Sequence, residues 1–289
     1  MNYRHIYHAG NFADIFKHLI LSRIIEYFKR KENPFRVIDT HAGIGIYNLY
    51  STEAQKTNEW QDGLGAFINQ TFDSYAEELI APWKKVLFDI NVNNENLKYY
   101  PGSPILTRKL LRKQDRLTAM ELHEEDYQTL KSHFISDFQA KIIHLDGWLA
   151  LKSQLPCKEK RAIILIDPPY EETNEFDKLY QGVIQAYKRA ANATYILWYP
   201  IKYFNQIEDF VNKIKALNIN KILRTEIHIR DFDTTITLKD KKKFSMPGCG
   251  ILVINPPYIL ENDLMILKPY LLKSLAQDNT AKILINQLS

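Results

Sequence analysis

The sequence predicts an α/β fold built on a mainly parallel sheet, and three observations lead there. Short apolar, β-branched runs recur along the chain, helix-length segments separate most of them, and several of the runs end on an acidic residue. At 289 residues, 45% hydrophobic and 25% charged, the chain can bury a substantial core in a single domain, 1–289. It has no apolar run near the roughly 20 residues of a membrane helix and no signal-like start. A cytoplasmic, membrane-free monomer is expected. Cys157 and Cys249 stand alone, which excludes a cysteine-framed zinc site or a disulfide scaffold. A formal charge of +4 permits a polyanionic partner without requiring one.

The first element is a helix. Phe12, Ile15, Phe16, Leu19, Ile20 and Phe28 fall at helical spacing, Asn11 stands at the N-cap and Asp14 favours the first turn, which predicts an amphipathic helix over Phe12–Phe28. Pro34 breaks the chain, and "FRVIDTHAGIG" reads as a buried strand entering a turn at Gly43 and Gly45. Further strands are expected at 116–122, 141–145, 162–167, 194–200, 221–229 and 250–255, making seven, with helices such as 125–134 and 176–190 between them. The polar segment 230–248, with its run Lys239, Lys241, Lys242 and Lys243, has no helical pattern, so the last two strands form an antiparallel hairpin. Between Gly45 and Arg116 lie about seventy residues, too many for a structureless connection. Because "GLGAFINQTF" and "SYAEELIAPWKKVLFDI" look helical, 47–100 reads as a small helical insertion.

Acids mark the ends of the first four runs: Asp39, Glu121, Asp146 and Asp167. Open α/β sheets bind ligands in the crevice at the carboxyl ends of their strands, where such residues converge. The glycine turn does not complete a nicotinamide or flavin fingerprint, whose third glycine would fall at Asn48. Two near-identical tetrapeptides stand out, Asp167-Pro-Pro-Tyr170 and Asn255-Pro-Pro-Tyr258. After Tyr170 enough chain remains for three strands, whereas after Tyr258 there is room for a terminal helix. The second copy therefore reads as a structural stop on the last strand.

Asp39 with Gly43 and Gly45, then Glu121, Asp146 and Asp167-Pro-Pro-Tyr170, in this order, resemble the motifs of S-adenosylmethionine-dependent amino methyltransferases. More narrowly, "YRHIYHAGNFADIFKH", "DTHAGIG", "YYPGSP", "ILIDPPYE", "LWYP" and "INPP" resemble the RlmJ family of bacterial adenine-N6 methyltransferases acting on 23S ribosomal RNA, over nearly the whole chain. The resemblance implies a Rossmann-like class I methyltransferase fold, S-adenosylmethionine as methyl donor and no metal. It implies cofactor contacts at His18, His41, Gly43, Ser103, Glu121, Asp146, Gly147 and Asp167, and substrate contacts at Tyr3, Lys17 and Tyr170. The implied partner is 23S ribosomal RNA, free or incompletely assembled.

Each position also has a plainer reading. The histidines can be hydrogen-bonded structural residues, Ser103 can cap a helix that opens at Pro104, and Lys17 can sit on a solvated face. "HIYH" at His5–His8 lacks further clustered ligands for a metal. The chemistry favours the catalytic reading for Asp167 and Pro168. A carboxylate and a proline carbonyl can accept the two hydrogens of an exocyclic amino group, and Tyr170 can stack on the base. A DNA adenine-N6 methyltransferase and a non-catalytic nucleic-acid-binding protein for use of external DNA are the alternatives. The absence of an obvious separate target-recognition domain tilts toward RNA.

Overall fold

The computed structural model describes residues 4–94, 96–202, 204–231 and 246–288. After a short 3-10 turn (His5–Tyr7), helix α1 (Phe12–Lys29) opens the fold, with the Asn11 side chain accepting from the Ala13 and Asp14 amides. The main sheet then builds outward from β1 (Arg36–Asp39). On one side of it lie β4 (Arg116–Glu121) and β5 (Ala140–His144), and on the other β6 (Ala162–Ile166) and β7 (Thr194–Pro200), all parallel. Strands β8 (Ile222–His228) and β9 (Gly248–Ile254) form the expected antiparallel hairpin, with β9 against β7.

One strand was not expected. Helix α10 (Leu260–Leu275) is followed by β10 (Lys282–Gln287), which adds an eighth, antiparallel strand outside β8. Its residues alternate poorly, with Ile283 the only fully buried one, so periodicity gives little signal there.

Between β1 and β4, a two-stranded ladder of β2 (Ile46–Asn48) and β3 (Tyr99–Pro101) brackets α2 (Thr52–Thr57), a π-turn (Gln61–Gly65), α3 (Ala66–Ile68) and α4 (Ser74–Asp89). Helix α4 and the π-turn pack with α1 and α10, α3 packs with α10, α2 packs on the opening 3-10 turn, and α5 (Ser103–Leu110) leads back to β4. Alternate strand residues feed two cores. Val37, Leu117 and Leu165 face α1, α5 and α10; Ile38, Ile164 and Ile166 face α7 (Gly147–Ser153), α8 (Glu175–Arg189) and α9 (Phe204–Lys215). Helix α6 (Glu124–Ser132) joins β4 to β5.

The first helix is not amphipathic in its setting. Asp14, Lys17, His18, Ser22 and Arg23 are all buried, because α4, α5 and α10 close over the face that a helical wheel assigns to solvent. The chain leaves β1 for β4 on one side and returns to β6 on the other, so a crevice opens over the carboxyl ends of β1, β4 and β6.

Candidate active site

The crevice is a cleft of about 1810 Å³ into which the strand ends deliver their residues. From β1 the chain turns through Gly43 and Gly45 at φ +62° and +87°, a region that side chains rarely enter. A Cβ on Gly43 would stand 2.2 Å from the Tyr47 hydroxyl oxygen. Glu121, at the end of β4, pins this turn: Oε2 accepts from the Gly43 amide at 2.9 Å and Oε1 from the His123 amide at 2.8 Å. Burial, partly offset by these amides, raises its carboxyl above the usual range.

Asp146 caps α7 by accepting from the Trp148 amide at 2.9 Å. The next residue must be small, because a Cβ on Gly147 would lie 2.3 Å from the Thr40 carbonyl. His41 contacts the Thr40 hydroxyl through Nδ1 at 2.8 Å and meets Trp148 edge-on. Burial, then the Lys178 charge, lower its pKa to about 3, so it is neutral. His18 stacks on Tyr100 and places Nδ1 2.7 Å from that hydroxyl. Burial brings it to about 3 as well, and its Nε2 is buried without a partner.

Asp39 lies just beneath the cleft floor, fully buried. Neither carboxylate oxygen meets hydrogen-bond geometry, although the Ser103 hydroxyl and the His41 amide lie near enough to favour its charged form. Burial dominates and pushes its pKa up to about 7.

Asp167 follows β6 and enters an ion-pair chain that sequence reasoning did not foresee. Its Oδ2 is 2.5 Å from Lys17 Nζ; that ammonium also contacts Asp14 Oδ1 at 3.0 Å, and Asp14 Oδ2 contacts His5 Nε2 at 2.9 Å. Lys17 is 5% exposed, so the solvated-face reading is wrong: the helices that bury α1 turn it toward the cleft. Burial opposes its charge, but Asp167 and Asp14 outweigh burial and hold its pKa well above the ordinary value. Tyr170 adopts φ +52° and donates its hydroxyl to the Trp198 carbonyl at 2.9 Å, its ring packed on Phe176 and Trp198.

The cleft thus brings together His18, His41, Gly43, Ser103, Glu121, Asp146, Gly147, Asp167, Pro168, Tyr170 and Lys17. Tyr3 lies outside the described residues, as does the Lys239–Lys243 run. Ser103 is not the helix cap. Gly102 takes that position with extended backbone, its carbonyl accepting from the Leu106 amide; a Cβ there would sit 2.9 Å from the Tyr47 ring. Asp14 and Trp198 were missed; the signal for Trp198 was an aromatic at the carboxyl end of the strand next to Asp167. His5 and His8 face the carboxylates Asp14 and Glu59, and among the described residues no cluster of His, Cys, Asp and Glu is placed to hold a metal.

The other tetrapeptide is elsewhere. β9 runs antiparallel to β7, so Asn255 emerges at the amino edge of the parallel strands, beyond Tyr195 at the start of β7. Its side chain donates to the Ala191 and Ala193 carbonyls at 2.8 and 2.7 Å.

The sequence model of the family described as ribosomal RNA large subunit methyltransferase D, RlmJ, matches residues 32–286. The chain belongs to this RlmJ family. Two RlmJ relatives, each named ribosomal RNA large subunit methyltransferase J, come from Haemophilus influenzae and Escherichia coli. They are 38% and 40% identical to this chain over 280 residues, covering 97% of it and 96% of each relative. A crystal structure of a Legionella pneumophila protein matches with a TM-score of 0.84 at 31% identity, covering 97% of this chain and 98% of that one. The RlmJ assignment and the class I methyltransferase fold read from the motifs both stand, with the eighth strand added.

Proposed function

We propose that this protein transfers a methyl group from S-adenosylmethionine to the exocyclic N6 of an adenine in 23S ribosomal RNA. The observation that carries the reading is Asp167, which opens an Asp-Pro-Pro-Tyr turn at the carboxyl end of β6 and has one carboxylate oxygen fixed by a buried lysine. Membership of the RlmJ family and the names of its relatives support ribosomal RNA as the substrate; the chemistry of the turn supports adenine.

The residues present suit an adenosine cofactor. Both Asp39 oxygens and His18 Nε2 are buried polar atoms without hydrogen-bond partners, and Gly43, Gly102 and Gly147 keep open a cradle that a Cβ would fill. Glu121, His18, His41, Gly43, Ser103, Asp146 and Gly147 would hold the molecule, with Asp167 at the boundary with the substrate. When bound, S-adenosylmethionine supplies an electrophilic methyl group on a cationic sulfur.

The chain's own task is to present a nucleophile, because the lone pair of an adenine amino nitrogen is delocalised into the ring. Lys17 occupies Asp167 Oδ2, and among the described residues Oδ1 has no hydrogen-bond partner. Oδ1 accepts one amino hydrogen and the Pro168 carbonyl the other, which draws the nitrogen toward a tetrahedral geometry with its lone pair directed outward. Lys17 holds the carboxylate stationary, and the prolines stiffen the turn without offering competing N–H groups. Asp167 then takes the proton that the alkylated nitrogen releases. Tyr170 and Trp198 form an aromatic wall for a base that has left its stack.

The test is Asp167→Ala, which should abolish methylation of unmodified 23S ribosomal RNA while calorimetry still detects cofactor binding. Substantial methylation by the variant overturns the assignment. Adenine-containing duplex DNA, run in parallel with wild-type protein, should remain unmodified.

A further inference from the structure

At the end of the sheet opposite the cleft, the segments leading into the strands, including the last turn of α8, carry cations without an acidic partner among the described residues. Arg30 precedes β1, Lys113 precedes β4, Lys160 precedes β6, Arg189 precedes β7 and Lys221 precedes β8. Each is exposed, and among the described residues none forms an ion pair. Lys158, in the loop before β6, and Lys188, in the last turn of α8, add charge to the same edge.

Strand register sets these loops side by side. β4, β1, β6 and β7 are parallel neighbours, and Ile222 of β8 meets Ile254 of β9, which meets Tyr195 of β7. Polar contacts stitch them together. The Asn33 carbonyl accepts from Arg112 and Arg161, the Lys160 carbonyl from Asn192, and the Lys221 carbonyl from the Asn255 amide. Several acids nearby are already matched, Asp115 by Arg112 and Glu159 by Arg36, which leaves Glu32 as an exposed opposing charge.

Two further features point to a ligand rather than a solvated face. A pocket of about 190 Å³ opens between Lys160, Arg189 and Asn192, large enough for several waters or a phosphate group. Beyond it Tyr258, the last residue of the second tetrapeptide, is 78% exposed; it meets Tyr27 edge-on at 5.6 Å, and the Arg30 guanidinium lies over Tyr27 at 5.6 Å. Unpaired cations around a concavity, with an exposed aromatic beside them, match what a phosphodiester backbone with unstacked bases presents.

The parallel strands separate this pole from the cleft by roughly 13–23 Å, at about 3.3 Å per residue, so one nucleotide cannot reach both. We propose that the pole docks the backbone of substrate RNA outside the loop that carries the target base. This rests on the RNA methyltransferase reading above and extends it to a second contact surface that is independent of base sequence.

The charge-reversal variant K113E/K160E/R189E alters exposed residues remote from the cleft. Binding of a long 23S ribosomal RNA fragment and of a short target hairpin is measured across a salt series, alongside thermal unfolding. For the long fragment, affinity should fall at least about tenfold, and the log–log salt slope should shrink by about two, since each lost phosphate contact removes roughly 0.7–0.9. Hairpin binding and methylation should stay within about twofold of wild type. Unchanged affinity for the long fragment overturns the proposal, as does charge-sensitive binding of anionic phospholipid vesicles in place of RNA. If wild-type protein methylates neither RNA, the methyltransferase reading fails, while a charge-sensitive loss of long-fragment binding still supports the docking surface.

Discussion

Replacing Asp39 with Asn should stabilise the ligand-free protein, and the gain should depend on pH. The carboxyl is fully buried, and burial moves its pKa from the ordinary 3.8 to about 7. A folded-state pKa above the unfolded value means that the folded chain holds the proton more tightly. The group therefore favours folding most below about pH 4, and that contribution declines as pH rises toward about 7. A shift of about three units at about 1.4 kcal/mol each sets the decline at about 4 kcal/mol. Asn has nearly the same shape and does not ionise. The difference in unfolding free energy between Asp39→Asn and wild type should be near zero at pH 4, grow through pH 5 and 6, and level off above 7 at a few kcal/mol. Urea denaturation of both proteins across that range, without ligand, measures it directly. A difference that is flat with pH would refute the argument, because it would mean that Asp39 is not protonated by its burial. The same variant should bind S-adenosylmethionine more weakly, since the stabilised carboxamide no longer offers a negative group beside Ser103 and His41.

Three further perturbations follow from the geometry. Lys17→Ala strips Asp14 and Asp167 of their shared cation, so it should cost about 3 kcal/mol of stability and lower kcat at least about tenfold, read by single-turnover methylation of the folded fraction. Gly147→Ala drives a methyl group to within 2.3 Å of the Thr40 carbonyl; it should destabilise the protein by about 1–3 kcal/mol and weaken cofactor affinity, measured by calorimetry. Asn255→Ala removes two hydrogen bonds at a left-handed backbone position, so chemical denaturation should show a loss of about 2 kcal/mol or more while kcat on a short hairpin is retained.

Much of this fold can be read from the chain because its strands are buried runs and its glycines have steric reasons. "AIILID" is apolar on both faces, as a central parallel strand must be, and Gly43 and Gly45 stand where φ is positive. The acids Asp39, Glu121, Asp146 and Asp167 converge because parallel strands all end on one edge. What could not be read depends on distant packing. Lys17 has a polar position on the helical wheel, and only the helices brought by later segments turn that position into an interior one. The orphaned state of Asp39 is equally invisible, since it is a lack of partners rather than a pattern. β10 escaped because an edge strand that buries little leaves little alternation to detect.

Helix α1 supplies Asp14, Lys17 and His18 to the cleft while Ile15, Phe16, Leu19 and Ile20 form the centre of the core. Most enzymes keep such duties apart, with reactive groups on loops that can vary over a rigid scaffold. On the function proposed above they share one element, so a substitution in this helix would not retune the chemistry without also shifting the folding equilibrium. Change in substrate choice is left to parts that the core does not own, such as the loops at either end of the sheet.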